Sequence, residues 1–280
     1  MTVAAIIPHW NRRDLLHPLF ASLNSQTRPF DEIILADNGS SDDSADLAQR
    51  LGATVLRLGK NLGFAPAVNR GIEFTNADWI AILNNDVTLA PTWLEQLLTT
   101  DAHFATGKIL SAADHSLIDG TFDEISRGAC ACRCGQGVKD SPVWNQPRPI
   151  RMAPMTAAIF RKSLFQTVGL LDENFGSYLE DVDFGLRCAL SDFPGAYIPA
   201  AVAYHRGSET LGAWNKDTVK RIARNQILLT VKHFGGQPRW PIVAGQMLWG
   251  LVALRHFRGA SYLRGKIDRK STRLNSSHRR

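Results

Sequence analysis

The sequence predicts an α/β protein built on a mostly parallel central sheet with helices on both faces. Short apolar runs alternate with amphipathic stretches through the first hundred residues, the trace that strand–helix–strand units leave in a sequence. Gly52 and Pro91 punctuate the alternation where one helix should stop and another start. Several apolar runs end abruptly in polar groups, as "PHWN", "ADNGSSD" and "NNDV", and ligands of open α/β sheets bind beyond the carboxyl ends of the strands.

The elements follow in order. "VAAIIP" (3–8) reads as a strand, and 14–24 as an amphipathic helix with Leu15, Leu16, Leu19, Phe20 and Leu23 at helical spacing. "EIILAD" (32–37) is the next strand, and a helix starts among the Ser and Asp residues of "SSDDSADLAQRLG". A strand over 54–58, a helix over 64–74, a strand over 79–84 and a helix from Pro91 through Leu98 continue the pattern. Residues 111–150 are rich in Gly, Ser, Asp and Pro and read as a long loop or irregular excursion. A strand then a helix are expected over 152–169, a helix over 178–190, a strand over 196–205 and a long helix over 216–234.

Residues 1–236 thus form the expected body, with 237–267 as a basic, apolar helical extension. Within it "IVAGQMLWGLVAL" (242–254) is too short to span a bilayer. With Trp240, Trp249, Arg239, Arg255, Arg258, Arg264 and Lys266 around it, it suits a helix lying in an anionic membrane surface. A helix packed on the body fits equally.

Charge and cysteine usage narrow the function classes. The chain has a formal charge of +6, but 268–280 contributes +4 and 237–267 contributes +5, leaving 1–236 at −3. A nucleic-acid-binding core needs a basic face, so that class is not expected. Four cysteines, three of them in "ACACRC", make no secreted disulfide framework, and no leader pattern precedes the first strand. A reducing cytoplasm is the expected setting. Cys130, Cys132 and Cys134 would share one face of a strand, yet structural zinc sites use C-x₂-C pairs and no fourth ligand is evident. An acceptor-side loop is the expected role of that stretch. The last residues, "DRKSTRLNSSH" onward (268–280), resemble the translation of a sequencing-adapter oligonucleotide. They are set apart as an artefact, and the natural chain is expected to continue past Ile267.

The chemistry concentrates at strand and helix ends: Asp37, Asp86, Glu180, Asp181 and His205. A single strand-end aspartate is ordinarily a turn or a cap. Several on one edge of a sheet, with Asn and His among them, suit a hard divalent cation such as Mg²⁺ or Mn²⁺. Such a cation can neutralise a diphosphate for which the chain has no GxxxxGK[ST] or GxGxxG cradle.

In their order, "IIPHWNRRDLL", "DEIILADNGSSDDS", "NLGFAPAVNRGI", "WIAILNNDV", "VGLLDENFGSYLEDVDFGLRC" and "AYHRGSET" resemble the motifs of family 2 glycosyltransferases. The likeness is to the rhamnosyltransferase-like branch and covers about residues 1–235. It implies a GT-A fold, a nucleotide-diphosphate sugar donor, a saccharide or lipid-linked acceptor and inversion at the anomeric carbon. By the resemblance, Asp86 coordinates the cation, with Asn84 at the first position of the family's DxD-type motif and His205 completing the shell. Asp37 holds the nucleoside, Pro8, Trp10 and Asn11 line the same end, and Asn61, Gly63, Phe64, Asn69 and Asn85 belong to the donor-binding set. Asp181 is the general base, with Glu180 as runner-up or acceptor-positioning group, and Asp183 faces elsewhere on the helix. Two other readings stay open at this stage: a sugar-phosphate nucleotidylyltransferase, and a sugar-nucleotide binding module without turnover.

Overall fold

The computed structural model describes residues 1–207 and 214–268. From the N-terminus run β1 (Val3–His9), α1 (Leu16–Asn24), β2 (Glu32–Asp37), α2 (Ser44–Arg50), β3 (Thr54–Arg57), α3 (Phe64–Phe74), β4 (Trp79–Leu83), β5 (Val87–Leu89) and α4 (Trp93–Leu97). A middle stretch adds β6 (Phe104–Ser111), β7 (Ile118–Gly120), β8 (Asp123–Ile125), β9 (Ala131–Arg133) and β10 (Arg148–Ile150). The chain continues with β11 (Ala157–Arg161), α5 (Lys162–Val168), α6 (Glu180–Leu190), β12 (Gly195–His205), α7 (Lys216–His233), α8 (Arg239–Arg255) and α9 (Gly259–Ile267).

The main sheet runs β10-β12-β6-β11-β4-β1-β2-β3, with β5 attached to β12 and β7 to β6. Along that path β11 and β10 run against the other strands, which share one direction. Period-2 alternation explains why the sheet is covered on both faces. Val3, Ala5 and Ile7 of β1 join Leu16, Leu19, Trp93 and Leu97 on the α1/α4 side. Ala4 and Ile6 join Ala65, Val68 and Ile72 of α3, then Leu164, Phe165 and Phe184, on the other. Each fully buried Ile or Leu contributes about 1.5–3 kcal/mol.

Residues 111–150, which composition reads as a long loop or irregular excursion, carry four short strands. β7 pairs with β6, β8 and β9 form a hairpin, and β10 forms one sheet edge. These strands are three residues long, too short to leave a period-2 signal. Polar pairs do part of the work that apolar runs do elsewhere: the buried Lys108 Nζ meets Asp140 at 2.8 Å.

Two further elements position the site. The register of β12 on β6 shifts between Tyr197 and Val202, a bulge that bends the strand. Past it, Ala203, Tyr204 and His205 pair with Leu89, Thr88 and Val87 of β5. On α7, Asn225 Nδ2 donates to the carbonyls of Phe175, Ser177 and Tyr178 at 2.7–3.0 Å, and Arg224 donates to Asn174 O at 2.8 Å. That pair anchors the segment leading into α6. α8 packs on α7 and α9 through Val219, Ala223, Ala253 and Tyr262, and Tyr262 Oη donates to Gln246 O at 2.6 Å. No described helix is long and apolar enough to cross a membrane. Ser208, Glu209 and Thr210 of "AYHRGSET", and the chain from Arg269 on, lie outside the described residues.

Candidate active site

Because β1, β2, β4 and β12 run the same way, their carboxyl ends meet at one edge, where a cleft of ≈ 780 Å³ opens. Pro8 and Trp10 line it from the end of β1, and Asn61, Gly63 and Phe64 from the loop entering α3. Asn84, Asn85 and Asp86 come from the turn after β4, Glu180 and Asp181 from the start of α6, and His205 from the end of β12. Three other predicted residues do not line the cleft. Asp37 is buried and accepts from Ser40 N with both oxygens, at 3.1 and 3.3 Å. Asn11 Oδ1 accepts from Ser41 N at 2.9 Å. Asn69 is committed to the chain at Leu171, donating to its O and accepting from its N at 2.9 and 3.0 Å.

The turn after β4 is where an apolar strand gives way to "NND". Asn84 N donates to Thr156 O, Asn85 Nδ2 meets His9 Nδ1 at 3.0 Å, and Asp86 O accepts from Arg206 N. The β5–β12 register sets His205 opposite Val87, beside Asp86. Asp86 Oδ1 and His205 Nε2 consequently lie 3.2 Å apart. Both atoms are buried, and their angles make no hydrogen bond. On the other side of the ring, His205 Nδ1 is 2.8 Å from Asp119 Oδ2 on β7. Burial alone would lower the imidazole, but Asp119 and Asp86 outweigh it and raise His205 to about 9. Among the described residues no set of three or more His, Cys, Asp or Glu side chains is grouped as a cation shell, "ACACRC" included.

The acid end is built by strained backbone. Tyr178 and Leu179 both adopt positive φ, 75° and 65°, a left-handed conformation that costs a non-glycine residue energy and concentrates at functional sites. Asn225 holds the first through its carbonyl, and Asp183 N the second at 2.9 Å. The turn delivers Glu180 and Asp181 to the first turn of α6, where the helix dipole favours acids. Burial, then the neighbouring Asp181 and Asp183, raises Glu180 well above the usual carboxyl range. Its Oε2 is buried without a partner. Burial also raises Asp181, against the opposing charge of Arg133. Asp183 points away from the cleft, as expected of its place on the helix, and accepts from His233, Lys232 and Arg187.

Gly63 is where the two ends touch. At φ +101° a side chain is disfavoured, and a Cβ there would stand 3.0 Å from Gly176 O. The backbone at this glycine thus lies close against the chain ahead of α6. Ala65 N donates to Gly176 O at 2.8 Å and Phe64 N to Ser177 Oγ at 3.1 Å.

Sequence reasoning missed His9, Asp119, Asp123 and Arg133. His9 lines the cleft with Nε2 unpartnered, and burial lowers it to about 4. Arg133 also lines the cleft and stands 3.6 Å from Asp123 and 3.7 Å from Asp119. Burial pushes Asp123 up to about 7 despite that guanidinium. His9 sits inside "PHWN" and was legible there. The other three come from the 111–150 stretch, where no apolar run marks them.

Comparisons with known proteins bear on the family and the fold. Over 94% of both chains, the sequence is 28% identical to the N-acetylglucosaminyl-diphospho-decaprenol L-rhamnosyltransferase of Mycobacterium tuberculosis. Among solved structures it superposes on GalNAc-T7, crystallised with UDP, GalNAc and Mn²⁺, with a TM-score of 0.65 at 15% identity over 82% of this chain. On Staphylococcus aureus TarS the TM-score is 0.57 at 17% identity over 92% of this chain. The chain spans 48% and 44% of those two proteins, and the likeness to them establishes the GT-A fold. The sequence model described as glycosyl transferase family 2 matches residues 4–168, more than half of the chain. The sheet with its polar edge, the rhamnosyltransferase-like sequence and the family match together make this chain a glycosyltransferase, a member of glycosyl transferase family 2.

Proposed function

We propose that the chain moves a sugar from a nucleotide-diphosphate donor to a hydroxyl of a lipid-linked saccharide, with inversion, at the cytoplasmic face of a membrane. The likeness to the mycobacterial enzyme favours rhamnose as the sugar and thymidine diphosphate as its carrier. Residues 1–236 are the catalytic unit and 237–267 its helical extension.

The observation that carries the reading is the pair Asp86 Oδ1 and His205 Nε2, buried and facing each other at 3.2 Å without a hydrogen bond. Between two such groups a cation can take the place of the imidazole proton. Carboxylate with imidazole suits Mn²⁺, and suits Mg²⁺ less well. Asp119, 2.8 Å behind the ring, would fix the tautomer of His205 were an ion held at Nε2. Asp86, His205 and Asn84 would hold the ion, which supplies positive charge for the departing diphosphate. Pro8, Trp10, Asn61, Gly63, Phe64 and Asn85 surround the nucleotide. Asp37 and Asn11 brace that end from behind, and Asn69 braces the 171–173 chain.

In the reaction Asp181 takes the proton of the acceptor hydroxyl as its oxygen attacks the anomeric carbon. The new C–O bond forms on the face opposite the breaking bond to the diphosphate, which leaves with the electron pair. Glu180, which burial and then the neighbouring acids raise well above the usual carboxyl range, orients the acceptor by hydrogen bonds.

Calorimetry of dTDP, UDP and GDP, with and without Mn²⁺, tests the reading. One nucleotide should bind in a Mn²⁺-dependent way, and Asp86→Ala should weaken it by at least about tenfold. Equal binding by the variant rejects the site. Asp119→Asn should lower Mn²⁺ affinity by about 10–100-fold while leaving metal-free nucleotide binding in place. Unchanged Mn²⁺ titrations would remove Asp119 from the scheme.

A further inference from the structure

Helix α8 is built inside out. Facing the protein are small residues: Ala253 is fully buried, Gly250 lies against the Tyr262 ring, and Gly245 lies against the Gly128 backbone. Facing outward are Trp240, Val243, Met247, Leu248, Leu251 and Leu254, each 53–75% exposed. They recur at three- and four-residue steps, so they form one stripe along the helix. A water-facing helix has the opposite arrangement, and contiguous apolar patches of this kind mark interaction surfaces.

Charge decides what covers the stripe. Residues 237–267 hold five Lys or Arg and no Asp or Glu, and Arg239, Arg255 and Arg264 are exposed. Two copies packed face to face would oppose like charges, which is unfavourable. The basic stretch 269–280, set apart above as an artefact, holds one large apolar side chain, Leu274, and is no native cover for the six. A bilayer with anionic lipid supplies both hydrocarbon and negative charge. The stripe also connects to the cleft. Trp249 and Val252 of α8 line it together with Asp86 and Asp181, and Leu248 lies one turn from Val252.

We infer that the outward face of α8 is a docking surface for an anionic membrane, and that the acceptor's lipid chain leaves the cleft across Val252 onto that face. The second half rests on the lipid-linked acceptor proposed above; the first does not.

The test is co-sedimentation of the full chain with phosphatidylcholine vesicles, with and without phosphatidylglycerol. The wild-type chain should bind the anionic vesicles at least about tenfold more tightly than the neutral ones. L248E/L251E should lose about tenfold or more of that binding, and R255E/R264E should lose the preference for anionic lipid. Both variants should keep the wild-type circular dichroism and Mn²⁺-dependent nucleotide binding, since none of these side chains lines the cleft. With acceptors, L248E/L251E should slow transfer to a vesicle-borne lipid-linked sugar and leave a water-soluble short-chain analogue unaffected. Equal loss on both acceptors overturns the exit path. Wild-type chain that stays in the supernatant, or L248E/L251E that sediments like wild type, overturns the docking surface. A wild-type dimer in the ultracentrifuge that L248E/L251E abolishes overturns it too, with a second copy as the occupant. Vesicle binding without nucleotide binding would leave the surface standing and reject the donor site instead.

Discussion

Asp181→Asn is expected to lower turnover by about 10²–10⁴-fold and to leave the proposed Mn²⁺-dependent nucleotide binding unchanged. The amide has nearly the shape of the carboxylate, keeps the acceptor oxygen that Val182 N engages at 2.8 Å, and cannot take a proton. Burial, then the neighbouring acids, raises Glu180 well above the usual carboxyl range and so disfavours the ionised form that a base needs. The pH profile adds a readout that a structural defect would not give. Asp181 lies above the usual carboxyl range through burial, and Arg133 opposes that rise. A base must be ionised, so kcat/KM should fall on the acid side at a pH above that of an ordinary carboxylate. Arg133→Gln removes the opposing charge and should move that limb further up. An Asp181→Asn variant with wild-type turnover would discard the base assignment and favour a binding module whose catalysis lies elsewhere or is absent.

Asp183→Ala is expected to destabilise the fold by about 3–5 kcal/mol, the usual effect of removing one partner from a buried charge cluster. Asp183 is fully buried and meets His233 at 2.7 Å, Lys232 at 2.9 Å and Arg187 at 3.1 Å. Arg187 in turn donates to the carbonyls of Val168, Gly169 and Leu170. One carboxylate thus ties α6 to the end of α7 and, through Arg187, to the turn after α5. Burial alone would raise Asp183, but hydrogen bonding from His233 and the charges of Lys232 and Arg187 bring it below the usual value. A carboxyl lowered in the folded state stabilises fully above its unfolded pKa, about 4. That contribution is lost as pH falls through the lower folded value. Thermal melts should show the variant's midpoint depressed at neutral pH, by about 2–4 °C per kcal/mol at this size. The gap should narrow below pH 4; a gap that stays constant there would disprove the linkage.

The parts legible in the sequence were those with a period. β1, β2 and β4 announce themselves as apolar runs, and α3 carries Ala65, Val68 and Ile72 at helical spacing. Their shared direction puts the polar ends on one edge without further information. What stayed hidden depends on pairing across the chain. Asp119 matters because β7 lies on β6 next to the end of β12, and nothing around "LIDG" signals that. Arg133 reads as part of a cysteine-rich oddity until the β8–β9 hairpin turns it toward Asp123. Asn69 shows the converse: a suggestive residue type whose amide is committed to the backbone at Leu171.

The 3.2 Å spacing of Asp86 and His205 is written in the lengths of two strands rather than in the choice of their neighbours. Val202 and Ala203 can be exchanged for other apolar residues with consequences for packing alone. One residue inserted after Val202, with the β6 pairing ahead of it kept, would bring Tyr204 to the position opposite Val87 and carry the imidazole past it. Over this span the protein tolerates spelling changes and not changes of count, a distinction that parallel substitution and insertion scans of 202–205 would read directly.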